Sequence, residues 1–103
     1  MKNMEIILEK PLLKYMEENN IHDIVIEIGD CIACGGAYKN VNARFLEENE
    51  DIDESSYDIR VTEMGKLYLP KEGIEYGETL RLVWKSYYWD GLGVAGANAI
   101  NKN

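Results

Sequence analysis

The segment that decides the fold covers residues 24–45 and has the sequence IVIEIGDCIACGGAYKNVNARF. Its first part, 24–28, is β-branched and almost continuously apolar, which is typical of a buried strand. Its last part, 41–45, alternates apolar with polar side chains, which predicts a second strand. The glycine-flanked segment 29–36 lies between them and carries two cysteines. We therefore expect two antiparallel strands joined by a cysteine-bearing turn.

The segments on either side predict one helix and several further strands. Pro11 suits the start of a helix over 11–19, because its missing N–H has no partner there. Alternation over 57–62 and 66–69 predicts a hairpin, and alternation over 80–88 predicts a final strand. Crossover helices for parallel βαβ units are absent from this pattern. The sequence therefore predicts the α+β class, with one short N-terminal helix and a mostly antiparallel sheet or sandwich.

The length of the chain indicates its domain organisation. We expect 103 residues to form a single domain over 1–103, with a core at about 8–90. The segment 91–103 is rich in glycine and other small residues, which predicts a flexible tail. The apolar runs are only a few residues long, and no signal-peptide pattern begins the chain. We expect a cytoplasmic protein.

The charge pattern excludes some classes of partner. The formal net charge is −8, and seven of the 19 acidic residues lie between 47 and 58 without a base among them. Nucleic acid and anionic membranes both require clustered lysine and arginine, so we expect neither as a partner. The acidic run lacks the glycine and closing glutamate of an EF-hand loop. It is typical of a solvated, mobile loop.

The strongest chemical signal is the C-x-x-C formed by Cys31 and Cys34, which are the only cysteines of the chain. Two thiols at this spacing can form a disulfide, share a metal, or pack as small hydrophobic groups. A thioredoxin-like site needs a helix that begins at the cysteines, and Gly35-Gly36 is a poor helix start. All three interpretations remain open from the residues alone.

A metal at these cysteines needs ligands beyond those of one chain. Structural zinc has four ligands, and iron–sulfur clusters usually use four thiolates. His22 precedes the first core strand, and we interpret it as a partly exposed capping or loop residue. A two-fold dimer would bring two copies of the C-x-x-C together and complete a four-thiolate site.

The order of elements resembles that of a known family. The comparable segments are 24–29 (IVIEIG), 34–38 (CGGAY) with the strand to Phe45, 58–61 (DIRV), 65–69 (GKLYL) and 78–82 (ETLRL). Together they resemble the HesB/IscA-like family of small iron–sulfur assembly proteins, and in particular divergent bacterial members with a paired-cysteine or Cys–selenocysteine motif. The similarity extends over about residues 8–90, and its order of elements is more specific than any single motif.

The resemblance implies a compact β-sandwich-like fold, a homo-oligomer, and an iron–sulfur cluster or iron as the bound group, with an iron–sulfur assembly or redox partner. It maps the first cysteine of the family onto Cys34 or Cys31. The C-terminal Cys-Gly-Cys of the family has no counterpart, since 91–96 is GLGVAG. Iron, a cluster or zinc would therefore need both cysteines, from two subunits. The alternatives are a thiol–disulfide redox protein and a structural or partner-binding module without catalytic activity.

Two further motifs have simpler interpretations. The segment 91–96 matches G-x-G-x-x-G, but a dinucleotide site needs a following helix and an acidic residue about 20 positions on. An aromatic cluster over 84–89 lacks the positive groove that nucleic-acid stacking requires. We expect it to pack in the core or at a subunit interface.

Overall fold

The computed structural model describes the backbone of residues 4–33, 36–86 and 90–100, and the side chains of residues 4–29, 39–85 and 91–100. Within these ranges the chain forms seven strands, one α-helix and one 3-10 turn. In chain order these are β1 (Glu5–Leu8), α1 (Lys10–Glu18), β2 (Ile24–Ala33), β3 (Gly36–Phe45), the 3-10 turn (Glu54–Ser56), β4 (Tyr57–Val61), β5 (Lys66–Pro70), β6 (Ile74–Ser86) and β7 (Asp90–Ala99).

The strands form two sheets, and each sheet contains both parallel and antiparallel neighbours. The first has the order β1-β6-β7, with β1 parallel and β7 antiparallel to β6. The second has the order β3-β2-β5-β4, in which only the β2–β5 contact is parallel. The connection from β2 to β5 runs through β3 and β4, so whole strands replace the crossover helix. The prediction of the α+β class is confirmed, with two mixed sheets.

One hydrophobic core joins both sheets to the helix. Its most deeply buried members are Leu12 and Met16 of α1, Ile24 and Ile26 of β2, Leu67 and Leu69 of β5, and Leu80 and Leu82 of β6. Burial of each such side chain contributes about 1.5–3 kcal/mol. The core therefore determines which faces of β2, β5 and β6 point inward.

The predicted helix is confirmed to within one residue at each end. Pro11 lies in its first turn, and Asn20 follows its end with a φ of 55°, a left-handed conformation that asparagine tolerates. The backbone N–H of Ile21 donates to the carbonyl of Met16 at 2.9 Å and closes the helix end. In the part of the chain that the structure describes, no helix has the length and apolar character needed to cross a membrane.

The turn predicted over 29–36 is largely wrong. β2 continues to Ala33 and β3 begins at Gly36, and these two residues are partners in the ladder. The physical reason is that each added pair of an antiparallel ladder satisfies backbone groups that a wide turn would leave to water. Cys31 is consequently a strand residue, whereas Cys34 lies outside the described residues.

The flexible tail predicted over 91–103 is also wrong over residues 91–99, which belong to β7. Glycine and alanine give no alternating pattern of their own, but β6 supplies the large side chains beside them. Leu92, Val94 and Ala97 pack against the core, and Met4 is buried at the other end of the chain. The core therefore extends beyond the predicted limits of 8 and 90.

Candidate functional site

The β2–β3 hairpin positions the cysteine motif. Its strands pair without a bulge from Ile24 opposite Phe45 to Ala33 opposite Gly36. Cys31 pairs with Tyr38, two pairs before the last one. A strand rises about 3.3 Å per residue, so the backbone of Cys31 lies about 23 Å along β2 from Ile24. The structure thus places the backbone of Cys31 near the end of the hairpin at which β2 finishes and β3 begins, opposite the end that contains Ile24 and Phe45.

A pair of asparagine side chains lies close over Gly29, just before this end. On the neighbouring strand β3, Nδ2 of Asn42 donates to Oδ1 of Asn40 at 3.1 Å. A Cβ atom at Gly29 would lie only 2.5 Å from Nδ2 of Asn42 and 3.0 Å from Oδ1 of Asn40. A larger residue would displace the amide pair. Gly29 therefore lies in a regular strand, in close contact with this amide pair, and not in a turn.

An ion network stabilises the same hairpin nearer its base. Nε of Arg44 lies 2.8 Å from Oε1 of Glu27, and its two terminal nitrogens form a bidentate pair with Glu50. The hydrogen bond to Glu50, followed by that to Glu27, raises the pKa of Arg44, whereas burial opposes the shift. The bond from Arg44 lowers the pKa of Glu50. The network connects β2, β3 and the first part of the acidic segment.

The second part of the acidic segment forms a local turn. The carboxylate of Asp53 accepts from the backbone N–H of Ser55 at 3.2 Å and from the hydroxyls of Ser55 and Ser56 at 2.6 and 3.0 Å. These bonds, led by that from the Ser55 side chain, lower the pKa of Asp53. Within the described residues, no three or more His, Cys, Asp or Glu side chains are arranged to hold a metal ion. Glu50 thus pairs with Arg44, and Asp53 caps the 3-10 turn.

His22 is an exposed loop residue, as the sequence predicts. Its Nδ1 lies 3.2 Å from the carbonyl oxygen of Met64, and its Nε2 lies 3.1 Å from Oδ1 of Asn20. The carbonyl requires Nδ1 to be the donor. Because His22 precedes β2 and Cys31 lies near its other end, the two residues are too far apart to share a metal or form a catalytic pair.

A cleft of about 530 Å³ lies beside β4, β5 and β6, where the sequence alone predicts no site. Arg60 reaches across it and donates from Nη2 to the carbonyl of Met4 at 2.9 Å. The hydroxyl of Tyr76 donates to the carbonyl of Pro70 at 2.8 Å. Burial, and then the charge of Asp58, raise the pKa of this hydroxyl. Asp58 and Arg60 are two positions apart on β4. Their place in one cleft with Tyr76 follows only from the pairing of segments that are distant in the sequence.

The two remaining motifs have structural roles where they can be described. Trp84 stacks on Tyr15 and approaches Phe45, so it packs beside the core. The rest of the aromatic cluster, 87–89, lies outside the described residues. The segment 91–96 is part of β7, which pairs with β6, and therefore does not form the loop before a helix that a dinucleotide requires.

Comparisons with known proteins give no relative. No protein-family model, curated protein or solved structure matches the chain. The functional assignment therefore depends on the residues of this chain and on their geometry.

Proposed function

We propose that this chain is a HesB/IscA-like protein in which Cys31 and Cys34 bind iron, an iron–sulfur cluster or zinc, with two subunits contributing to one site. The observation that carries the proposal is the register of β2 and β3, since Cys31 pairs with Tyr38 close to the last pair of the hairpin. Cys34 follows three residues later, so the two Cα atoms are at most about 11 Å apart. The two cysteines are thus three residues apart in the sequence, and β2 carries the backbone of Cys31 close to the last pair of a long hairpin.

The donor set fits a metal shared between subunits. One chain supplies two thiols, and His22 lies at the opposite end of β2. Two copies supply four thiolates, the usual number for an iron–sulfur cluster and one of the common sets for zinc. A bound group of this kind would be cargo in assembly or transfer, and the thiolates would hold it without a change in their own covalent structure.

The strand geometry gives less support to the thiol–disulfide alternative. A thioredoxin-like cysteine is activated at the N-terminus of a helix, whose dipole lowers the thiol pKa. Here Cys31 belongs to β2, and β3 begins two residues after Cys34. Neither β2 nor β3 therefore supplies the helix dipole that would lower a thiol pKa and favour dithiol exchange.

Metal analysis of the purified protein tests the proposal. The protein is produced in medium with iron and zinc and purified without oxygen, and iron, zinc and sulfide are measured per chain. We expect about one metal ion or cluster per two chains. Cys31→Ser and Cys34→Ser should each lose it, because each removes two of four ligands from the shared site. Ala33→Ser is the matched control, since it adds a hydroxyl to the same hairpin and keeps both thiols.

Two results would refute the metal proposal: wild-type protein without metal, or metal content that is unchanged by both cysteine substitutions. The redox alternative predicts a different outcome. A reversible Cys31–Cys34 disulfide in metal-free protein, with a potential close to the glutathione pool at roughly −220 to −260 mV, would favour it. Thiol trapping in glutathione buffers measures that potential.

A further inference from the structure

β4 is the outer strand of the four-stranded sheet and carries exposed apolar side chains. Its sequence is Tyr57-Asp58-Ile59-Arg60-Val61, and its neighbour is β5. Val61 is 84% exposed and Ile59 is 37% exposed. A strand edge with exposed apolar side chains is a template for pairing with another strand. The composition of β4 therefore indicates an interaction surface.

The hydrogen-bond pattern shows which backbone groups of β4 face outward. Ser56 accepts from the N–H of Lys71 at 3.1 Å, and the N–H of Thr62 donates to Gly65 at 2.7 Å. Bonded and non-bonded pairs alternate along an antiparallel ladder, so the even-numbered residues of β4 bond to β5. The residues whose N–H and C=O point away from β5 are Tyr57, Ile59 and Val61. No strand of the described chain pairs with this edge.

The sequence of β4 is self-complementary about Ile59. In an antiparallel pair of two β4 strands centred there, Ile59 faces Ile59 and Tyr57 faces Val61. Asp58 of each copy then faces Arg60 of the other, once on each side of the two-fold axis. Because the odd-numbered residues form the hydrogen-bonded pairs, these charges occupy the non-bonded pairs, where opposing side chains are closest.

Both charged residues are available for such a contact. Neither Asp58 nor Arg60 forms an ion pair with the described residues. Arg60 uses one N–H for the carbonyl of Met4, and the guanidinium has four more donors. An antiparallel pair centred on Asp58 or on Arg60 would place the two copies of that residue opposite each other. Repulsion between like charges disfavours both of these registers.

We infer that the outer edge of β4 joins two copies of this chain, with their four-stranded sheets continued across a β4–β4 contact. The occupant is a second copy because the charges of β4 complement themselves in this one arrangement. An interface limited to one five-residue edge is small, so we expect a dissociation constant in the micromolar range, at roughly 10–100 µM.

This contact does not depend on the proposed metal site. A two-fold axis through Ile59 reverses the direction of the sheet, so the β2–β3 hairpins of the two copies point to opposite ends. The two cysteine segments therefore do not meet across β4. A metal shared by two chains would use a different contact, and the two assemblies can be tested separately.

Sedimentation equilibrium of the full chain tests the contact. We would use the Cys31→Ser/Cys34→Ser variant in chelator, from about 5 to 500 µM, so that no thiol assembly contributes. We expect a reversible monomer–dimer equilibrium. Ile59→Lys should weaken it at least about tenfold, because two lysines would meet on the two-fold axis. Ile100→Lys is the matched control, since Ile100 is 39% exposed against 37% for Ile59 and lies outside β4.

A charge exchange tests the register. Asp58→Arg and Arg60→Asp should each weaken the dimer, since each brings like charges together. The double variant should restore it, at least in part. Arg60→Asp and the double variant both lose the bond to Met4, so their comparison isolates the charge pattern. Circular dichroism checks that each variant is folded. If a charge variant does not fold, the comparison of Ile59→Lys with Ile100→Lys alone decides whether the β4 contact exists.

Three results would overturn the inference. The first is a monomer over the whole concentration range. The second is an equal effect of the Ile59→Lys and Ile100→Lys substitutions. The third is a folded double variant that associates no better than Arg60→Asp. Metal content measured in parallel on chains with intact cysteines separates failure of this contact from failure of the metal proposal.

Discussion

Tyr15 and Trp84 stack face to face, with ring centroids 3.8 Å apart and ring planes at 17°. The contact joins α1 to β6, so it attaches the helix to the three-stranded sheet. Phe45 of β3 lies 5.7 Å from the Tyr15 ring and brings in the other sheet. Stacked aromatic pairs contribute about 0.5–1.5 kcal/mol beyond the burial of their surface. This pair is therefore a measurable joint between the layers.

A double-mutant cycle should detect this joint. Trp84→Ala is expected to lower the free energy of unfolding by about 3 kcal/mol, and Tyr15→Ala by less. The combined variant should lose about 1 kcal/mol less than the sum, because the stacking is removed only once. Urea denaturation provides the values. Trp84→Ala with Val61→Ala, at an exposed and distant residue, should be additive; additivity in the Tyr15 cycle as well would contradict the prediction.

The pairing of Glu50 with Arg44 should make stability depend on pH. The folded state lowers the pKa of Glu50 below its ordinary 4.5, so folded protein binds fewer protons in this range. The stability from this group is present above 4.5 and is lost as the pH falls through the lowered pKa. Glu50→Gln should therefore reduce the free energy of unfolding at about pH 7 and have a smaller effect at about pH 3.

The control for this pH dependence is Glu48→Gln. Glu48 is exposed, belongs to the same segment, and forms no ion pair with the described residues. Denaturation curves at both pH values should show little change for this variant. An equal loss for Glu50→Gln at both pH values would mean that its carboxylate charge has no role in folding.

Gly96 should not tolerate a side chain. Its φ is +96°, and a Cβ atom there would collide with the carbonyl oxygen of Thr79. The register between β6 and β7 also shifts at this point, where several residues of β6 face one of β7. We expect Gly96→Ala to cost at least roughly 1–3 kcal/mol in thermal or urea unfolding.

Gly77→Ala is the matched control for Gly96→Ala. It lies on the opposing strand, and its added Cβ would approach the carbonyl of Gly96 at 3.3 Å, a gap that a small shift can relieve. A loss for Gly77→Ala as large as that for Gly96→Ala would argue that any side chain between these strands is damaging, and that the positive φ has no special importance.

Tyr76 should be among the last tyrosines to ionise. Burial, and then the charge of Asp58, raise its pKa above the ordinary 10.0. Its contribution to stability is thus present below pH 10.0 and is lost as the pH rises through the raised pKa. In an absorbance titration of folded protein, Tyr76→Phe should remove a late step, and Asp58→Asn should move that step to lower pH. Loss of an early step instead would contradict the assignment.

Local patterns in the sequence predicted part of this fold. The helix, the apolar start of β2, and the β4–β5 hairpin each follow from periodicity or turn residues over a short range. β1 was missed because it has four residues and pairs with β6, far along the chain. β7 was missed because its glycines and alanines carry no alternation, and their neighbours in β6 decide their structure.

The candidate site was predictable to a similar extent. The spacing of Cys31 and Cys34 is visible in the sequence, but the extension of β2 through Cys31 depends on pairing with β3. The cleft around Arg60 and Tyr76 combines segments that no local pattern connects. The self-complementary pattern of β4 is visible in its five residues. It predicts a contact only when β4 is known to be an edge strand.

The parallel pairing of β1 with β6 has a consequence for biosynthesis. Glu5 is paired with Thr79, so β1 is synthesised 74 residues before its partner residue. Until then its exposed edge and the apolar face of α1 lack their final neighbours, a state in which a nascent chain is prone to aggregate. We expect ribosome-bound intermediates that end before residue 74 to recruit chaperones.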